Sequence, residues 1–151
     1  MSKEIYTKVV ELIFNRPTYK FHIRELARLA SVHPNTIIKK TDELKKEGLV
    51  KIEKKKHLVE VSADIENINF MMKKRLFNIS KIYESGILDL LISYFSPESI
   101  SAIGSYSRGE DMEKSDIDFV IISDNKKIGK DIDLTKFERV LNRKINLLVL
   151  D

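Results

Sequence analysis

The stretch Gly104-Ser105-Tyr106-Ser107-Arg108-Gly109-Glu110, followed by Ser115-Asp116-Ile117-Asp118-Phe119-Val120-Ile121-Ile122, decides how this chain is read. It sets a glycine–serine pair ten residues before an Asp-x-Asp that opens an apolar run. Along a strand, side chains at i and i+2 share a face, so Asp116 and Asp118 point the same way with Cα atoms about 6.5–7 Å apart. Two carboxylates at that spacing suit one or two hard divalent cations. Ile100-Ser101-Ala102-Ile103 reads as a short strand that delivers the chain to Gly104-Ser105. The segment after it reads as the start of a helix whose free N–H groups face an anion. Strand, Gly-Ser turn, short helix, then a strand bearing Asp-x-Asp is equipment for a metal-bound nucleoside triphosphate.

Composition sets the outer limits. With 151 residues, 42% apolar and 33% charged, the chain is expected to be globular and soluble, as one domain or two small ones. It has no cysteine, which excludes disulfides, thiolate zinc sites and cysteine nucleophiles. The start lacks the apolar core of a signal peptide and no run is long enough to cross a bilayer, so a cytoplasmic protein without membrane contact is expected. His22, His33 and His57 are scattered without metal-ligand spacing and read as surface or cap residues. Residues 1–75 hold 17 Lys/Arg against 10 Asp/Glu, whereas residues 76–151 hold 10 against 13. A basic front half suits a polyanion, and an acidic back half suits a site that collects cations.

The front half has a matching pattern. Ile5, Val9, Leu12 and Ile13 form an amphipathic stripe that ends at Asn15-Arg16-Pro17. A second helix is expected from Phe21 to Ala30, with Ile23, Leu26, Leu29 and Ala30 inward. After the Ser31-Val32-His33 turn, Pro34 suits the first position of a third helix and Gly48 suits its end. Ile37, Thr41 and Leu44 face inward there. Leu49–Glu53 and Leu58–Ser62 are β-prone around Lys54-Lys55-Lys56-His57. Two helices joined by a short turn, then a hairpin with a basic tip, resemble a winged helix-turn-helix over residues 1 to about 63. The resemblance implies double-stranded DNA as partner, read by Asn35, Thr36, Lys39 and Lys40 and held by Lys54, Lys55 and Lys56.

From Ile65 to Tyr83 the chain is helix-compatible, with Ile68, Met72, Leu76, Ile79, Ile82 and Tyr83 as its stripe. Such a stripe is either packing between domains or a dimer helix, and a homodimer is expected. Ser85-Gly86 separates it from another helix over Ile87–Phe95.

Gly104-Ser105, ten residues, then Asp116-x-Asp118 resembles the signature of the DNA polymerase β-like nucleotidyltransferase superfamily. It is most similar to the minimal nucleotidyltransferases, whose motif reads Gly-Ser-x-Ala-Arg-Gly and then Ser-Asp-x-Asp. Ser107 stands where Ala is usual, while Arg108, Gly109 and Ser115 fit. The resemblance covers roughly Ile87 to Asp151. It implies that Asp116 and Asp118 are catalytic and hold Mg²⁺ or Mn²⁺, and that Gly104 and Ser105 contact the triphosphate. Arg108 either supports phosphates or buttresses the loop. The superfamily commonly adds a third carboxylate on a later strand, and the matching phrase Lys144-Ile145-Asn146-Leu147-Leu148-Val149 carries Asn146 instead. An amide adds no charge and is no base near neutral pH. Glu110 and Asp111 are expected on a helix facing solvent.

The expected class is α+β: a winged helix over 1–63, a linker helix over 64–85, and a small nucleotidyltransferase-like α/β domain with a short mixed sheet over 86–151. The favoured function is a DNA-binding transcriptional regulator whose back half binds nucleotide and metal with degenerate transferase chemistry. The alternative is an active nucleotidyltransferase acting on a protein or small-molecule acceptor, similar to antitoxins of the minimal group. A third reading is an adaptor that uses both modules to bind a partner protein.

Overall fold

The computed structural model describes residues 2–124 and 131–151, and the chain divides into two units, Met1–Met72 and Lys73–Asp151. The first unit holds α1 (Ser2–Asn15), β1 (Phe21–His22), α2 (Ile23–Ala30), α3 (Pro34–Lys46), β2 (Val50–Lys55) and β3 (Leu58–Ala63). Its helix ends follow local chemistry. Ser31 takes the left-handed conformation at φ 58° and closes α2. His33 caps α3, its Nδ1 accepting the Asn35 N–H at 3.2 Å, with Pro34 at the first helical position. Gly48, at φ 75°, ends α3 and lets Leu49 N–H reach Leu44 O at 2.9 Å.

β2 and β3 form an antiparallel hairpin with Lys55 opposite Leu58, so Lys56 and His57 make its tip. The sheet order is β1-β3-β2, with Phe21 opposite Val61. Phe21 is therefore a strand residue, not the first residue of a helix: its fully buried ring sits in the core with Leu26, Ile37, Leu44, Leu49 and Val61. On α2 the inward set is Ile23, Leu26, Ala27 and Ala30, and Leu29 is 36% exposed, which corrects its expected inward place. Phe14 meets Phe70 edge to face at 5.3 Å between ring centres, within the same unit.

Helix α4 (Ile68–Ser85) begins in the first unit and continues into the second, which adds α5 (Ile87–Phe95), β4 (Ser99–Ile103), α6 (Gly104–Arg108), β5 (Ile117–Ile122), α7 (Thr135–Leu141) and β6 (Ile145–Leu150). The sheet order is β4-β5-β6, antiparallel between β4 and β5 and parallel between β5 and β6, as the α7 crossover requires. Ile117, Phe119 and Ile121 pack on Ile87, Leu91 and Phe95 of α5, with Tyr106 and Ile145 in the same cluster. Alternation along the strands turns Asp118, Asn146, Leu148 and Leu150 to the other face.

Of the expected stripe of α4, Ile68, Met72, Leu76, Ile79 and Tyr83 are exposed and Ile82 is buried, and the buried face is formed by Phe70, Lys74, Asn78 and Ile82. Their four-residue spacing defines a face as regular as the apolar one, and it is partly polar. Among the described residues no helix is long and apolar enough to cross a membrane.

Candidate functional site

Parallel pairing sets Asp118 of β5 opposite Asn146 of β6. Asp116 stands one residue before β5, outside the strand proper. The Asn146 Nδ2 donates to Asp118 Oδ1 at 2.8 Å and to Asp116 Oδ2 at 3.2 Å. Ionised carboxylates only accept, so the amide must turn its NH₂ toward them. Asp116 and Asp118 are half-buried and Asn146 is exposed. The two carboxylates thus converge on one point, which the amide's partial positive charge occupies. Among the described residues no group of three His, Cys, Asp or Glu side chains is placed to share a metal ion.

Gly104 closes the site from the β4 side. Its φ is +77°, and a Cβ there would lie 2.8 Å from Asp118 Oδ2. Both the left-handed backbone and the contact require glycine. Ser105 follows in the first turn of α6. The helix ends after one turn at Gly109, φ 74°, with Glu110 N–H returning to Ser105 O at 3.0 Å. Ser107 Oγ donates to Gly104 O at 2.9 Å. Arg108 pairs with Glu110, Nε to Oε2 at 2.8 Å, with both side chains about half exposed. Beyond them, Ser115 Oγ accepts the Met112 N–H at 2.9 Å, and Ser115 N–H bonds Met112 O at 3.1 Å. That double closure fixes how the chain enters Asp116.

Asp111 corrects the expectation of a solvent-facing helical residue: it lies beyond the end of α6 and is 1% exposed. Its Oδ1 accepts Asn78 Nδ2 at 2.7 Å and faces Lys74 Nζ at 3.2 Å, and its Oδ2 accepts Arg143 NH2 at 3.4 Å. Lys74 Nζ also donates to the Asp111 carbonyl. Asn78 Nδ2 donates in addition to Tyr106 O at 2.9 Å, and Arg143 NH1 to Asn142 O at 3.0 Å. Arg143 Nε is buried and finds no hydrogen-bond partner among the described residues. Burial pulls the Lys74 ammonium below its ordinary value, against the opposing pull of Asp111 and, more weakly, of Glu113, while the nearby Arg143 adds to the lowering. Burial pushes the Tyr106 phenol up to about 12, with Asp111 adding to the shift. An isolated Asp in a loop gave no sequence signal for this cluster. The signal available was the lysine and asparagine four residues apart inside an amphipathic helix.

In the first unit, Asn35 and Lys39 of α3 are exposed and Thr36 is half-buried. Lys40 is held by Glu43 at 2.9 Å. At the hairpin tip Lys54, Lys55 and Lys56 are all exposed, but Lys55 pairs with Glu60 at 2.9 Å and lies 3.8 Å from Glu53. The partner holds Lys55 charged, raising its pKa, and that of Glu60 falls. These acid partners were not anticipated from the sequence. They leave Asn35, Lys39, Lys54 and Lys56 as the outward polar set.

No curated protein and no solved structure matches the chain. Residues 84–150, from the end of α4 through β6, match the model of the nucleotidyltransferase domain family.

Proposed function

We propose that the protein is a DNA-binding regulator whose back half binds a nucleoside triphosphate with Mg²⁺ or Mn²⁺ and transfers the nucleotide slowly or not at all. In this reading residues 1–63 are a winged helix, 64–85 a linker helix and 86–151 a minimal nucleotidyltransferase-like domain. The observation that carries it is the Asn146 amide donating to both Asp116 and Asp118. The carboxylates already converge, which fits a divalent cation, and two of them without a third make a weak site that triphosphate oxygens complete. When bound, the cation would supply charge neutralisation and activation of an attacking oxygen. Asp116 and Asp118 would hold it, and Ser105, next to Gly104, would contact the triphosphate. Nothing at position 146 removes a proton from an acceptor.

Support for the DNA-binding half comes from the helix–turn–helix order of α2 and α3, the exposed Lys56 on the two-residue hairpin tip and the exposed Lys54 near the end of β2. The exposed apolar face of α4 supports a homodimer, as a regulator reading paired half-sites would need. A second reading draws on the family match: transfer to a protein or small-molecule acceptor, with the front half for targeting. The test is isothermal titration of the full chain with Mn²⁺ and an equimolar mixture of ATP, CTP, GTP and UTP. Binding is expected in the parent and absent in Asp116→Asn, with duplex DNA affinity equal in both. Equal nucleotide binding in parent and variant overturns the proposal.

A further inference from the structure

We infer that Asp111 is the positioning residue of the candidate site: its buried carboxylate sets how Asn146 stands against Asp116 and Asp118. The inference rests on the nucleotide- and metal-binding reading of that site. Asp111 lies five residues ahead of Asp116, and the doubly closed Met112–Ser115 turn takes up most of the chain between them. On the other side its Oδ2 accepts from Arg143, three residues before Asn146. The segment around Arg143 is itself held: Arg143 N–H bonds Glu138 O at 3.2 Å, and Ile145 N–H bonds Glu138 Oε1 at 3.0 Å. Ile117 N–H then meets Lys144 O at 2.8 Å, joining the two strand entrances next to the site. One carboxylate therefore grips the entries to both strands that carry the site.

The same carboxylate reaches the Gly104–Ser105 side as well. Asn78 bridges Asp111 Oδ1 and Tyr106 O, one residue beyond Ser105. Lys74 and Asn78, one turn apart on α4, thus form a fixed floor for Asp111. All of these groups are buried, with Lys74 and Asp111 at 1% and Arg143 at 5% side-chain exposure. Water cannot replace a missing partner there. Neutralising Asp111 removes the charge that Lys74 and Arg143 share, and with it the hold on the α7–β6 turn that carries Arg143.

Two variants of the full chain test this, Asp111→Asn, which removes the charge, and Asp111→Glu, which keeps it but lengthens the arm by one methylene. Two readouts are used: the Asn146 side-chain amide pair in a ¹⁵N correlation spectrum, assigned by its absence in Asn146→Asp, and binding of Mn²⁺ with the equimolar nucleotide mixture. Melting curves establish that each variant is folded at the assay temperature. The expected result is a displaced Asn146 amide pair in whichever variant folds, with affinity down on the order of tenfold, as for other supporting residues behind ligands. A folded variant with a lower melting temperature but an unmoved amide pair and parental affinity overturns the inference and leaves Asp111 a stability residue only. If the parent itself binds no nucleotide, the functional reading falls, and the amide pair alone still decides the role of Asp111.

Discussion

Asn146 stands directly opposite Asp118 across the parallel β5–β6 pair, and its amide nitrogen lies 2.8 Å from Asp118 Oδ1. An amide donor there holds two like charges together without a metal. Replacing it by a third acceptor reverses the effect. Asn146→Asp adds a charge that, at an effective dielectric of about 20, interacts with each neighbour by roughly 4 kcal/mol at 4 Å. Without metal, the variant melts lower than the parent near neutral pH, and acidification narrows the gap as a carboxylate protonates. With Mn²⁺ the order reverses, and affinity for the ion rises by at least about tenfold. Melting curves with and without Mn²⁺ check both signs.

Two glycines separate backbone strain from contact. Gly104 and Gly86 share left-handed φ values, +77° and +79°, but an added Cβ meets Asp118 Oδ2 at 2.8 Å at the first and nothing among the described residues within 4 Å at the second. Gly86→Ala is expected to cost about 1–2 kcal/mol from the backbone alone. Gly104→Ala is expected to cost more, because it also displaces the Asp118 carboxylate. Denaturant titration gives the difference. Only Gly104→Ala should reduce metal-dependent nucleotide binding.

Tyr106 gives the folded second unit an alkaline limit. Its phenol is raised from 10.0 to about 12 in the fold, so the folded state holds that proton more tightly than the unfolded chain. The stabilisation is complete below pH 10 and is lost as pH rises from 10 through about 12. A shift of that size corresponds to about 2–3 kcal/mol at full effect. Tyr106→Phe should show a flatter loss of stability over that interval. Melting curves of parent and variant, subtracted at each pH, isolate the contribution.

Charge pairing sorts the hairpin lysines. Lys55 already faces Glu60 at 2.9 Å, whereas Lys54, near the end of β2, and Lys56, on the tip, are exposed. If the tip lies on phosphates, Lys54→Ala and Lys56→Ala each lower the salt slope of duplex binding by about one. Lys55→Ala changes it less, because its charge is partly neutralised before binding. Anisotropy titrations of the full chain over a range of KCl concentrations measure the slopes. Asn35→Ala or Lys39→Ala should change the preference among duplex sequences instead.

Short-range chemistry was legible in the sequence. Pro34 and Gly48 bracket α3, and Ile87–Phe95 forms one helix, because caps and breakers act over a few residues. The strand that would carry Asn146 was legible too, since alternation puts every second residue on one face. The buried face of α4 was not. Its apolar stripe is the stronger periodic signal, yet Lys74 and Asn78 go inside because Asp111, 37 and 33 residues away, meets them. No local pattern encodes a partner at that range. β1 was hidden for a related reason: two residues make no periodicity, and Phe21 is strand only through Val61.

The most direct measurement is incubation of the full chain with each labelled nucleoside triphosphate and Mg²⁺ or Mn²⁺, followed for both binding and release of pyrophosphate. The parent should bind nucleotide in a manner that Asp116→Asn abolishes, with pyrophosphate release absent or very slow, and Asn146→Asp should raise that release. Brisk pyrophosphate release by the parent would contradict the central claim, since an amide that cannot take a proton or strengthen the metal field would then suffice for transfer.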